Sequence, residues 1–144
     1  MSSRMKLGLA LLLILLGIFI GFKLWEHKNS SDVDIMPSEN MTATQQIEIA
    51  QEAGQPMWLI FTTNSCPYCI DLKEIFDELK VDYDDKIAFI EINLDDKENR
   101  ELGTKYEIMY VPDNYIYDKD GEISFAQGGL LDKKLLIKEL DKVK

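Results

Sequence analysis

The chain has 144 residues, of which 46% are hydrophobic and 29% charged, and its formal net charge at pH 7 is −10. This length allows one domain with an appendage, and the acidic balance argues against nucleic acid and anionic lipid headgroups as partners. Two cysteines and one histidine are too few for a closed zinc site, so neither a metal nor a cofactor is expected. Copper carriage by two thiolates is a remote alternative.

An uncharged apolar run lies near the start of the chain. Residues 7–22 carry no charged side chain and are bounded by Lys6 and Lys23. With Leu24 and Trp25 as interfacial residues, the run is just long enough for a membrane-spanning helix of about 20 residues. The pattern predicts a cytoplasmic tail at 1–6 and a transmembrane anchor at 7–25. A cleaved secretory signal is the alternative, but the bulky, charged residues after the run offer no small-residue cleavage site.

A polar tether is predicted over residues 26–41, with a short strand indicated at residues 33–35. Everything after the anchor is expected outside the cytoplasm of a bacterial cell, at the cell membrane. After Lys28 the chain holds twelve Lys and Arg against twenty-five Asp and Glu, a formal charge of −13. We interpret this charge as favouring solubility.

The folded domain is predicted over residues 42–144. Thr42 and Gln45 have capping-box spacing, which predicts a helix ending at Gly54. An apolar, β-branched and aromatic segment at 56–62 then predicts a strand, in which Trp58 is expected to pack in the core or at its rim.

The only two cysteines of the chain, Cys66 and Cys69, follow that strand and open an amphipathic helix predicted over residues 70–80. Free backbone N–H groups and the helix dipole at such a position favour the thiolate and lower a cysteine pKa. Two cysteines with this spacing can close and reopen a small disulfide. We expect Cys66 to be the nucleophile and Cys69 the resolving thiol, with Pro67 suited to the first helical turn.

The remaining elements alternate between strands and helices. They are a strand at 87–93, a short helix capped by Asp95 or Asp96 and ending at Tyr106, an antiparallel hairpin of 114–117 with 123–125, and a last helix capped by Asp132. This order predicts an α/β fold with a mixed central sheet and helices on both faces.

Residues 42–144 resemble the thioredoxin-like family. The resemblance is carried by Cys66-Pro67-Tyr68-Cys69 in its strand-to-helix setting, Asn93-Leu94-Asp95, Val111-Pro112 and Lys119-Asp120-Gly121. It implies a thioredoxin-like fold, thiol–disulfide oxidoreductase activity and a cis peptide bond before Pro112. It also implies that Val111 and Pro112, with Pro67 and Tyr68, contact an extended segment of the substrate protein.

Four positions differ from the family pattern. Ser65 replaces a Trp, Ile60 a buried acid, Tyr110 a Gly and Asp113 a Thr. Without the buried acid, proton transfer at Cys69 is expected to use water or another group, for which Glu91 is a candidate. The changes beside the proline predict a narrower and more polar substrate groove.

The resemblance, together with the predicted anchor, favours a membrane-anchored oxidoreductase that reduces disulfides of exported proteins, as in cytochrome c maturation or thiol repair. A membrane electron carrier of the thiol–disulfide type would recharge it. Three alternatives remain open at this point: disulfide donation to, or isomerisation in, exported proteins; glutathione-dependent activity, suggested by the Pro67-Tyr68 dipeptide; and a non-enzymatic binding module.

Overall fold

The structure is a computed structural model, and it describes residues 41–144. The predicted tail at 1–6, anchor at 7–25, tether up to residue 40 and short strand at 33–35 lie outside these residues. Within the described part of the chain, no helix is both long enough and apolar enough to cross a bilayer.

Four strands form one mixed sheet. They are β1 (Met57–Thr62), β2 (Ala88–Asn93), β3 (Asp113–Tyr117) and β4 (Ile123–Gly128). Their order across the sheet is β2-β1-β3-β4, with β1 parallel to β2 and antiparallel to β3, and β3 antiparallel to β4. The central strand β1 is buried along its whole length, which explains its continuous apolar sequence.

Helices cover both faces of this sheet, as predicted. They are α1 (Ala43–Glu52), α2 (Pro67–Tyr83), α3 (Arg100–Lys105) and α4 (Lys133–Leu140), with a 3₁₀ turn at Lys97–Asn99 before α3. Alternate residues of β1 enter opposite cores. Trp58 and Ile60 pack with α2 and α4, whereas Met57, Leu59 and Phe61 pack with α1 and α3. Trp58 is therefore a core residue, in contact with Phe76 and Phe89.

The predicted capping signals of α1 and α4 are confirmed. Thr42 and Gln45 exchange the two hydrogen bonds of a capping box, and Gly54 leaves the helix with φ of +61°. The Asp132 side chain accepts a hydrogen bond from the backbone N–H of Lys134 at the start of α4.

Two predicted boundaries differ from the structure. Helix α2 begins at Pro67, which was expected in the first helical turn, but it continues to Tyr83, beyond the predicted end at residue 80. The cap predicted at Asp95 or Asp96 is wrong. Asp96 occupies the N-cap position without a side-chain cap bond, and the Asp95 carboxylate instead accepts a hydrogen bond from the backbone N–H of Asn64.

Candidate active site

The cysteine pair lies at the N-terminus of α2. Cys66 is the N-cap residue in an extended conformation, and Pro67 occupies the first turn, where a missing N–H leaves no helical bond unmade. The two cysteines form a disulfide with Cα atoms 5.2 Å apart. The Cys66 Sγ also accepts a hydrogen bond from the backbone N–H of Cys69 at 3.2 Å. The same N–H can stabilise a thiolate on Cys66 once the disulfide is reduced.

The two sulfurs differ in accessibility. Cys66 is half-buried, whereas the Cys69 side chain is only 3% exposed beneath the first turn of the helix. A partner sulfur can approach Cys66 directly, but Cys69 is reachable only from within the protein. This difference agrees with the expected division into nucleophile and resolving thiol, which stays a prediction.

The second segment of the site precedes β3. The Val111–Pro112 peptide bond is cis, as the resemblance implied. The Cys66 Sγ lies 3.7 Å from the carbonyl oxygen of Val111, so the predicted substrate-contact residues Val111 and Pro112 stand beside the reactive sulfur. Pro112 is buried and Val111 half-buried, while Pro67 and Tyr68 are exposed.

The loop that delivers Cys66 is tied to the end of β2. The backbone N–H of Asn64 donates to the Asp95 carboxylate at 2.7 Å, and the Asn93 side-chain amide donates to the Asn64 side chain at 2.8 Å. The Asn93-Leu94-Asp95 motif, quoted above only as part of a resemblance, therefore has a local task. It fixes the turn between β1 and the first cysteine.

A cavity of about 340 Å³ is lined in part by Cys69. Glu91 and Lys73 line it and form an ion pair at 2.9 Å, and the Thr62 hydroxyl donates to Glu91 at 3.1 Å. Partial burial lowers the pKa of Lys73, but its bonds to Glu91 and Asp77 outweigh that effect and hold the pKa above its ordinary value.

This cavity contains the one carboxylate that the sequence proposed for Cys69. Ile60, at the position of the family's buried acid, is fully buried in the apolar core and offers no proton acceptor. Sequence reasoning did not identify Lys73 as part of the site. The available signal was the spacing of four residues from Cys69, which places both on one side of α2.

The substrate groove beside Pro112 was predicted to be narrower and more polar, and the structure contradicts the part of this that concerns Asp113. Asp113 does not make it more polar, because its carboxylate is turned into the protein, where it accepts hydrogen bonds from the Asn114 backbone and the Tyr115 hydroxyl. Burial raises the pKa of Asp113. Tyr110 is exposed, and its ring lies against Gly128 at the end of β4.

A buried asparagine was not foreseen. Asn114 is fully buried and accepts a hydrogen bond from the Trp58 indole at 3.4 Å. Its amide donates to the backbone carbonyls of Gln127 and Gly129, at 3.0 and 3.2 Å. A single polar residue within a strand gives no sequence signal for such a role, because its three partners come from two other segments.

No group of three or more His, Cys, Asp or Glu side chains within residues 41–144 is arranged to hold a metal ion.

Comparison with known proteins gives two findings. A family model described as a thioredoxin-like domain matches residues 43–144. Proteins named thioredoxin from two strains of Staphylococcus epidermidis are each 33% identical to the chain over 82 residues, which is 57% of this chain and 76% of the relative.

Proposed function

This chain belongs to the thioredoxin-like family and is a thiol–disulfide oxidoreductase, and on that premise we propose that it is a membrane-anchored reductant of disulfides in exported proteins. One observation carries the proposal. The accessible sulfur of the pair stands at a helix N-terminus, 3.7 Å from the backbone carbonyl of the residue before a cis-proline. This geometry supports an activated thiolate on Cys66 next to the Val111–Pro112 backbone, where a partner's backbone is expected to pair.

The reaction needs two exchanges. The Cys66 thiolate attacks one sulfur of the partner disulfide, that disulfide breaks, and the second partner sulfur leaves as a thiolate that takes up a proton. Cys69 then loses its proton and attacks the Cys66 sulfur. The mixed disulfide breaks, the partner leaves with both cysteines reduced, and the Cys66–Cys69 disulfide forms. Two electrons have passed from the pair to the partner.

Glu91 accepts the proton of Cys69 in this scheme, directly or through a water in the shared cavity. Its carboxylate is oriented from two sides, by the Thr62 hydroxyl and the Lys73 ammonium. A carboxylate held in this way can take up a proton without first reorganising.

The location and the direction of electron flow are inferred from the sequence. The apolar run at 7–22 supports an anchor, and the oxidoreductase domain follows it after a tether. Small anchored proteins of this family often act as reductants recharged by a membrane carrier of the thiol–disulfide type. Oxidation or isomerisation of exported proteins needs only a less stable Cys66–Cys69 disulfide.

Equilibration of the pair with a glutathione series tests the direction. A reduction potential below about −220 mV supports the reductant, whereas a value near −120 mV would make the protein a disulfide donor. Full-length protein in membranes, probed with an impermeant thiol reagent, tests the location: Cys66 should be labelled from outside the cytoplasm.

The identity of the client is tested by trapping. The Cys69→Ser variant should accumulate mixed disulfides on Cys66, and Cys66→Ser should accumulate none. Cys66 of the reduced protein should also react with iodoacetamide at neutral pH faster than an ordinary exposed thiol. If Cys66 reacted no faster than an ordinary exposed thiol, it would not be an activated nucleophile. Function retained in Cys66→Ser would indicate a binding module.

A further inference from the structure

The Tyr110 ring occupies the space above Gly128. A Cβ atom built on Gly128 would overlap this ring, with Cζ at 2.9 Å and the hydroxyl oxygen at 3.0 Å. Gly128 has no positive φ, so its backbone would accept any L residue. A side chain at position 128 would therefore displace the Tyr110 ring from the place it occupies here.

The surface beneath the ring is rigidly attached to the cis-proline segment. The backbone N–H of Gly129 donates to the Pro112 carbonyl at 2.7 Å, and Gly128 pairs with Asp113 in the sheet. The buried Asn114 amide holds the carbonyls of Gln127 and Gly129 on either side of Gly128. Tyr110 thus rests on a fixed support, two residues before Pro112.

The ring is still available to a partner. The Tyr110 side chain is 63% exposed, although it lies on Gly128. In the described part of the chain, five of the seven exposed large apolar side chains belong to the two segments of the site or follow Gly129 directly. They are Tyr68, Ile70, Met109, Tyr110 and Leu130. Exposed aromatic and apolar side chains of this kind contribute most at protein interfaces.

We propose that Tyr110 is a specificity-determining residue that favours partner disulfides whose cysteine is flanked by a large apolar side chain. The inference rests on the proposed exchange reaction. A partner that brings its sulfur to Cys66 docks beside Val111, and Tyr110 is the residue that precedes Val111. The residues that flank the partner's cysteine are therefore expected to meet the Tyr110 ring. An aromatic or aliphatic side chain there gains contact with the ring, whereas glycine gains none.

Matched peptide disulfides test this inference. The peptides differ only in having Phe or Gly next to the reactive cysteine, on one side and then on the other. For the wild-type protein we expect kcat/KM to favour Phe on one of the two sides by about 3- to 10-fold. In Tyr110→Ala the preference should fall to near one, because the rate for the Phe peptide falls more than the rate for the Gly peptide.

Ile123→Ala is the matched control, because Ile123 is an exposed large apolar residue at the other end of β4. It should keep the wild-type preference. An unchanged preference in Tyr110→Ala, or an equal fall in rate for both peptides, would overturn the role of Tyr110. Failure of the wild-type protein to reduce either peptide would instead refute the proposed function.

A double-mutant cycle tests the contact itself. Gly128→Ala should lower the urea midpoint of unfolding, because the new methyl group overlaps the ring. The same substitution in a Tyr110→Ala background should cost clearly less. Equal costs in the two backgrounds would show that the ring does not rest on Gly128 in solution, and the basis for the selectivity would be lost.

Discussion

The Glu91 carboxylate is held in one orientation by two neighbouring side chains. The Thr62 hydroxyl and the Lys73 ammonium bind different oxygens of its carboxylate, which lines the cavity beside Cys69. Because Lys73 keeps a raised pKa, it stays charged throughout the neutral range and keeps the carboxylate oriented. Glu91 is therefore a residue whose loss should affect one step of the exchange rather than the whole reaction.

Glu91→Gln should slow the attack of Cys69 on the mixed disulfide by about 10- to 100-fold near neutral pH, since general-base catalysis typically contributes at least that much. The amide cannot accept the proton, so the rate of this step should also become proportional to hydroxide concentration. Stopped-flow release of a fluorescent thiol from a preformed Cys66 mixed disulfide, between pH 6 and 9, measures both effects.

Asp77→Asn provides the control, because it removes the other carboxylate bound to Lys73 at 3.2 Å and leaves Glu91 in place. That variant should keep the wild-type pH profile, and Glu91→Asp should recover part of the rate. A Glu91→Gln profile equal to that of the wild type would assign the proton to bulk water.

At the scale of elements, Asn114 joins β1, β3 and the end of β4. Asn114→Ala would leave the buried Trp58 indole N–H and two part-buried carbonyls without this partner. We expect a loss of about 2–4 kcal/mol in the free energy of unfolding, because each buried unsatisfied group costs about 1–3 kcal/mol and water can reach some of them. Asn64→Ala replaces an exposed asparagine and is the control. In urea unfolding it should lose much less free energy of unfolding than Asn114→Ala.

The ends of α2 and α4 are joined by the Tyr83 hydroxyl, which donates to the Asp141 carboxylate at 2.7 Å. This bond, with burial, raises the pKa of Tyr83 to about 12 from an ordinary value of 10. Above pH 10 the unfolded chain loses this proton while the folded protein keeps it. The stabilisation is therefore fully present below pH 10 and is lost as the pH rises towards 12.

Tyr83→Phe should accordingly be less stable than the wild type at pH 8, by about 1 kcal/mol for one part-buried bond. The difference should shrink between pH 10 and 12, since only the wild-type protein has a Tyr83 hydroxyl that titrates there. Urea unfolding at pH 8 and pH 11 measures it. Lys144→Ala, which removes another partner of Asp141, should leave this pH dependence intact. A stability difference between the wild type and Tyr83→Phe that is equal at the two pH values would contradict a stabilising bond between Tyr83 and Asp141.

The type and order of the elements in residues 42–144 could be predicted because their signals are local. Alternation and apolar runs marked the strands, and Thr42, Gly54 and Asp132 marked helix ends by bonds within one turn. The site was predictable as far as Cys66, Cys69 and the cis-proline segment. The Lys73–Glu91 ion pair and the bonds of Asn114 join distant segments, and no single stretch of sequence contains both partners. The inward turn of Asp113 is held by its neighbours Asn114 and Tyr115, but the type of residue at 113 did not indicate it.

At the scale of the whole molecule, the net charge can be read directly from the sequence. The chain after Lys28 carries a formal charge of −13, and the residues that line the Cys69 cavity include one acid and one base that neutralise each other. The field acting on an approaching partner is therefore the long-range field of the acidic domain. Such a field changes association rates and is screened by salt.

The reduced protein should react faster with cationic cystamine than with anionic oxidised glutathione at low salt, after correction for their intrinsic exchange rates with a small thiol. Raising NaCl from 20 to 300 mM shortens the screening length from about 20 Å to about 6 Å and should bring the corrected rates together, by slowing cystamine and accelerating glutathione disulfide. Initial rates of Cys66–Cys69 oxidation measure this convergence.

If the rates for both reagents did not change with salt, local contacts would outweigh the overall charge. A glutathione disulfide rate exceeding that of cystamine at every salt concentration would instead revive glutathione-dependent activity.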